Sequence, residues 1–172
     1  MINDIINKIL WFIGLILLQV LLLDKIILAG VATPMAYIYL LMLWNRNGIR
    51  WILLLAGFVL GIVIDSFENM PGVNASACVM LAMLQPFFLK LFIPREQQDE
   101  PSLVPSLKTM GWAGYLKYAL FCVLTHHLMV LALEYFSLAD VTGLVTRVVG
   151  CSALTLLIVM MFEMVKIHWE KS

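Results

Sequence analysis

The chain has 172 residues, of which 63% are hydrophobic and only 13% charged, and its mean hydropathy is +0.98. A water-soluble domain of this size could not bury so many apolar side chains, because most of its surface has to face solvent. Its 11 basic residues balance 11 acidic ones, so the composition offers no basic surface for nucleic acid. These values predict a single all-α integral membrane domain over residues 1–172.

Six apolar runs predict six transmembrane helices, since about 20 apolar residues cross a bilayer core of about 30 Å. The predicted spans cover about residues 5–23, 33–44, 51–64, 73–93, 115–136 and 144–165. Gln19 is a polar residue inside the first run. Pro34 fits the first turn of the second helix, which is then too short for a full crossing. Residues 26–31 before it are expected in the interface or as irregular backbone, and 94–111 as a polar loop.

The distribution of Lys and Arg predicts the orientation. With six spans, the side that carries both termini holds 9 of the 11 basic residues, and the other side holds only Lys25 and Arg147. Short cytoplasmic loops are enriched in Lys and Arg. We therefore expect a multi-pass protein of the bacterial inner (cytoplasmic) membrane with both termini in the cytoplasm.

Gly57 and Gly61 form a GxxxG step in the third predicted span. Small residues at this spacing let a second helix approach closely. Packing within the bundle is favoured over an interface with another protein, and both interpretations make the third span a central helix.

The segment from Asp65 to Asn74 concentrates polar chemistry at the end of the third span. Asp65 and Glu68 share a helix face if the helix continues, and paired carboxylates could bind a cation or act as acid and base. The simpler interpretation, which we favour, is that the acids cap or solvate a helix end beside the turn at Pro71 and Gly72.

His126, His127 and Glu134 lie in the fifth span, and ionisable groups inside a membrane are candidate functional residues. Glu163 in the sixth span could be their partner, or could lie near the cytoplasmic end. Hydrogen bonding between helices is favoured over catalysis or transport. The sequence contains no zinc-protease, nucleophile-elbow or phosphate-loop motif, and Cys78, Cys122 and Cys151 show no CxxC spacing, so no enzyme, cofactor or metal site is predicted.

The order of several short motifs resembles the family of the rod shape-determining protein MreD. The likeness is carried by Leu18-Gln19-Val20, by Pro34, by the G-x-x-x-D step from Gly61 to Asp65 with Ser66 and Phe67, and by Pro71-Gly72-Val73-Asn74-Ala75. Size, span number and cytoplasmic termini also match, so the resemblance extends over nearly the whole chain.

The resemblance implies a six-helix bundle similar to the substrate-binding (S) components of vitamin transporters, working as a non-enzymatic scaffold. It implies binding to MreC and work in the cell-wall elongation complex, where MreB, RodA and a class B penicillin-binding transpeptidase also meet, in support of rod shape and lateral peptidoglycan synthesis. Residues expected in helix packing or a partner interface are Gly57, Gly61, Asp65, Phe67, Gly72 and Asn74.

Two other classes stay open. A bundle of this size can hold a small ligand, as in a membrane component of a transporter, and Asp65, Glu68, Asn74 and Glu134 would supply polar groups at the mouth of such a pocket. An intramembrane hydrolase would depend on the two histidines and Glu134 alone.

Overall fold

The structure is a computed structural model that describes residues 2–25, 32–45, 48–97, 100, 103–135 and 141–169. In this part of the chain all regular structure is helical, which confirms the all-α class. The α-helices are α1 (Ile2–Leu21), α2 (Tyr39–Met42), α3 (Arg50–Glu68), α4 (Val73–Phe92), α5 (Leu107–Tyr135) and α6 (Val141–Trp169). Short 3₁₀ turns cover Leu23–Lys25, Ala36–Ile38 and Arg95–Gln97.

Helices α3 to α6 are each long and apolar enough to cross a membrane, as judged by length and composition. Consecutive members of this set pack against each other: α3 on α4, α4 on α5 and α5 on α6. Their outer faces expose large apolar side chains, which suit contact with lipid. A further apolar helical stretch among the described residues is Phe12–Leu21 of α1. The chain is therefore an all-α membrane bundle, and the six-span count stays a prediction.

The second predicted span, 33–44, is not a regular membrane-crossing helix. Its helical part consists of a 3₁₀ turn of 3 residues and α2, which has 4 residues. Residues 33–35 before it are non-helical, so the helix begins at Ala36 and not at Thr33 or Pro34. We call residues 32–45 the central segment, because most of its side chains are buried by the surrounding helices. Residues 26–31, which were predicted to lie in the interface or to form irregular backbone, are outside the described residues.

The third helix is longer than predicted because it continues past Asp65 to Glu68. Asn69 follows its last residue, and the φ of 55° at Asn69 is left-handed. Gly72 follows with φ 89° and stands directly before α4. This reversal of direction needs two left-handed residues, and glycine adopts that conformation without a steric penalty.

The predicted polar loop 94–111 is wrong in its second half. Helix α5 begins at Leu107, eight residues before the predicted start at Tyr115, with a non-helical break at Gly111 (φ 68°, ψ 169°). Leu103, Leu107 and Met110 are buried against the bundle. Apolar burial thus holds this stretch in place, although its sequence is interrupted by polar residues.

The charged ends of the bundle differ in sign. The ends of α4 and α6 and the starts of α3 and α5 lie together, and the basic residues described there are Arg50, Lys90, Arg95, Lys108, Lys117 and Lys166. The opposite end carries acidic residues in excess, namely Asp65, Glu68 and Glu134, beside Lys25 and Arg147. This asymmetry is the one from which the orientation was predicted.

Candidate functional site in the buried polar interior

Side chains from the long helices satisfy the backbone of the central segment. Gln19 of α1 is fully buried; its Nε2 donates to the carbonyl of Pro34 (2.9 Å), and its Oε1 accepts from the N–H of Ala36 (2.8 Å). The amide of Gln19 therefore links the carbonyl of Pro34 to the N–H of Ala36, the first residue of the 3₁₀ turn. Non-helical backbone at membrane depth requires such partners, because lipid offers none.

His127 reaches the central segment through Thr155 of α6. The N–H of Met35 donates to Thr155 Oγ1 (2.9 Å), and that hydroxyl lies 3.1 Å from His127 Nε2. His127 Nδ1 lies 2.9 Å from the carbonyl of Val123. A carbonyl can only accept, so Nδ1 carries the proton and Nε2 accepts from Thr155. His127 is thereby assigned as the neutral Nδ1–H tautomer.

A second chain of hydrogen bonds joins Glu68, Asn74, Tyr37 and His126. Asn74 Nδ2 donates to Glu68 Oε2 (2.6 Å), which orients the amide so that Oδ1 accepts from the Tyr37 hydroxyl (2.7 Å). The single hydroxyl proton is then used, so Tyr37 accepts from His126 Nε2 at 3.2 Å. In this tautomer Nδ1 of His126 is unprotonated, and it has no hydrogen-bond partner among the described atoms. The two histidines are opposite tautomers.

The other end of the central segment is also held by polar contacts. Tyr118 donates its hydroxyl proton to the carbonyl of Met42 (2.7 Å) and accepts from Gln85 Nε2 (2.9 Å). Tyr39 donates to Oε1 of Glu163 (2.6 Å). The central segment is therefore fixed along its length by α1, α4, α5 and α6.

Glu163 lies at the end of α6, away from the histidines. Its side chain is fully buried, its Oε2 accepts from the N–H of Leu107 (3.0 Å), and Lys166 Nζ lies 3.8 Å from Oε1. A buried carboxylate needs such donors to offset the loss of water. The prediction that Glu163 pairs with the histidines is therefore wrong, and the alternative prediction, a position near the end of the helix, is correct.

Asp65 caps α4 from the last turn of α3. Its Oδ1 accepts from the N–H of Asn74 (2.8 Å), and its Oδ2 accepts from the N–H groups of Gly72 and Ala75 (both 3.0 Å). The first N–H groups of a helix have no partner within it, and a carboxylate there also interacts favourably with the helix dipole. Glu68 bonds the side chain of Asn74 and completes this junction.

The GxxxG step faces α4. A Cβ added at Gly57 would lie 3.0 Å from the carbonyl oxygen of Cys78, and one at Gly61 would lie 2.5 Å from the nitrogen of Ala75. The backbones of α3 and α4 thus approach too closely at Gly61 for any side chain. Both glycines pack inside the bundle and are not available to another protein.

The remaining predicted residues lie at the same end as Asp65. Phe67 is 58% exposed, and Glu134 lies 3.6 Å from Arg147. Together with Glu68 they line a cavity of about 420 Å³ that Lys25 and Gln19 also reach. The contact of Glu134 is thus with Arg147, whereas those of His127 are with Val123 and Thr155.

Sequence reasoning missed Tyr37, Tyr39, Thr155 and Tyr118. A tyrosine or threonine within an apolar run is common, so its type alone carried little information. Two tyrosines spaced by one residue after a proline, in a run too short to cross the membrane, were the available signal for a buried segment with polar partners.

Cys78, Cys122 and Cys151 are buried, as their apolar surroundings predicted. Among the described residues no three His, Cys, Asp or Glu side chains group so that they could hold a metal ion. Comparison with family models, curated proteins and solved structures finds no match to this chain.

Proposed function

We propose that the protein is a non-enzymatic membrane scaffold of the bacterial cell-wall elongation complex that binds MreC and supports rod shape and lateral peptidoglycan synthesis. The proposal rests on the resemblance to the MreD family. The observation that carries it is the junction of α3 and α4. There the G-x-x-x-D step and the glycine turn, which carry the resemblance, form one contact: Gly61 admits the start of α4, and Asp65 caps it.

The buried polar groups support the same proposal. His127, Gln19 and Thr155 hydrogen-bond to the backbone or to each other and hold the central segment in one place. A bundle fixed in this way presents constant outer surfaces to partners. Contacts between transmembrane helices then form by packing and interhelical polar groups, because lipid provides no hydrophobic drive.

The proposal places the protein in the inner membrane with both termini in the cytoplasm, which the clustering of basic residues at one end supports. MreC is the direct partner. MreB, RodA and a class B penicillin-binding transpeptidase are further members of the assembly.

Depletion of the protein in its native, rod-shaped host tests the proposal. Depleted cells should widen and round, and the purified chain should bring MreC with it in mild detergent. Phe67→Ala should weaken this co-purification, because Phe67 is an exposed apolar side chain beside the junction. Phe87→Ala is the matched control, since Phe87 is equally exposed on α4. Depleted cells that keep their rod shape would refute the scaffold.

A small-molecule-binding component of a transporter is the second candidate, favoured by the cavity of about 420 Å³ at the acidic end. Ligand pockets commonly measure about 300–1,000 Å³ and combine apolar walls with a few polar groups. Here Lys25, Glu68, Glu134 and Arg147 are those groups. Cells that keep their shape on depletion but lose uptake of a defined nutrient would favour this function.

A further inference from the structure

Two cavities share Lys166 at the basic end of the bundle. The first, of about 560 Å³, lies among α1, α2 and α6 and is apolar; Leu15, Leu43, Phe162 and Val165 are among its walls. The second, of about 460 Å³, is lined by polar side chains, among them Ser106, Lys108 and Thr109, and by apolar ones. Because Lys166 lines both cavities, they adjoin at this side chain.

The apolar cavity opens to the membrane. Its floor includes Leu15, which is 2% exposed, and its rim includes Val165 and Trp169, which are more than half exposed. Tryptophan is enriched where hydrocarbon meets the headgroup region. The cavity is therefore accessible to a lipid chain at the depth where the headgroup begins.

The wall of the second cavity carries two lysines and two carboxylates. Glu163 already accepts hydrogen bonds from Tyr39 and Leu107, so Lys166 is not its sole compensation. The Lys166 ammonium has three donors and its side chain is 38% exposed. Lys108 is the second cation, and Glu100 is the further carboxylate on the wall. The two lysines on this wall supply donors for one phosphate group.

We propose that this pair of cavities binds a glycerophospholipid, with one acyl chain in the apolar cavity and the phosphate against Lys166 and Lys108. Basic pockets between helices bind lipid headgroups in this manner, and long lysine side chains reach the interface while their stems lie on apolar surface. The site goes beyond the scaffold function and does not depend on it.

Native mass spectrometry of the purified full chain in mild detergent tests the site. The probes are dioleoyl phosphatidylglycerol and dioleoylglycerol, which have the same acyl chains and differ in the phosphate headgroup. We expect a one-to-one complex with the phospholipid and a much weaker one with the diacylglycerol. Equal retention of both lipids would overturn the proposal, because the phosphate would then contribute nothing.

Two pairs of variants locate the site. Lys166→Gln should lower phospholipid affinity about five-fold, Lys166→Arg should retain it, and Lys90→Gln, an exposed lysine at the same end, should leave it unchanged. Val165→Trp should block the apolar cavity, whereas Val149→Trp, equally exposed on α6, should not. Thermal melting verifies that each variant is folded. Unchanged binding by folded Lys166→Gln and Val165→Trp would refute the site, as would a dimer that fills the groove with a second copy of the chain.

Discussion

Asp65 Oδ1 accepts a hydrogen bond from the backbone N–H of Asn74 at 2.8 Å, so the end of α3 caps the start of α4. A residue that ends an apolar run in the sequence is therefore part of the fold's interior. Helices α3 and α4 are thus joined by the Asp65 carboxylate as well as by the turn between them.

Replacing Asp65 should destabilise the bundle in a graded way. Asp65→Ala removes the acceptor for three N–H groups, and loss of a cap typically costs about 0.5–2 kcal/mol. Asp65→Asn keeps one oxygen and should lose less. Thermal melting in detergent measures the order, with Glu68→Gln as a control that retains an acceptor for Asn74. A melting temperature of Asp65→Ala equal to that of the parent would contradict the capping role.

Alanine substitutions at three glycines should distinguish the effect of helix propensity on folded yield from the effect of close contact between helices. Gly61→Ala should reduce folded yield strongly, because its Cβ would lie 2.5 Å from the nitrogen of Ala75. Gly57→Ala should be milder, as its nearest contact is 3.0 Å away. Gly14→Ala meets nothing within 4 Å and should be neutral or stabilising by up to about 1 kcal/mol. Yield by fluorescence-detected gel filtration gives the ranking, and a harmless Gly61→Ala would disprove the close approach.

The two histidines should be neutral and of opposite tautomer. Nitrogen-15 NMR of the labelled protein should show the proton on Nε2 of His126 and on Nδ1 of His127, because their partners are Tyr37 and the Val123 carbonyl. Single variants assign the signals. The same tautomer in both rings would contradict the hydrogen-bond directions given above.

The histidines should also be replaceable by glutamine. His126→Gln, His127→Gln and the double variant keep hydrogen-bonding capacity and remove titration and metal affinity. Near-normal complementation is expected, whereas His127→Leu should lower folded yield, since it leaves Thr155 without its acceptor. Total loss of activity in a folded, inserted double glutamine variant would reveal a chemical role.

Reporter fusions test the orientation. Fusions after Asn47, Gln98 and Ser172 should report the cytoplasm, and those near Asn69 and Ala139 the opposite side, because Lys and Arg favour the cytoplasmic side. A cytoplasmic signal near Asn69 would eliminate the six-span topology.

The sequence predicted the membrane class, the helices from α3 to α6 and the small-residue step, since hydropathy and local spacing encode these features. The end of α3 was placed too early, because Asp65 was treated as a polar stop whose partners lie in the next helix. Glu163 and Gln19 were visible as isolated polar residues. Their partners Tyr39 and Ala36 could not be assigned, because pairing across the bundle depends on tertiary packing.

The hydrogen bond from Met35 to Thr155 joins residues 120 positions apart. During synthesis, the N–H group of Met35 leaves the ribosome long before Thr155 exists, whereas Gln19, the partner of Pro34 and Ala36, is already present. Until α6 arrives, the Met35 N–H requires water or another substitute acceptor. The polar partners of the central segment are therefore complete only after the last helix has been synthesised.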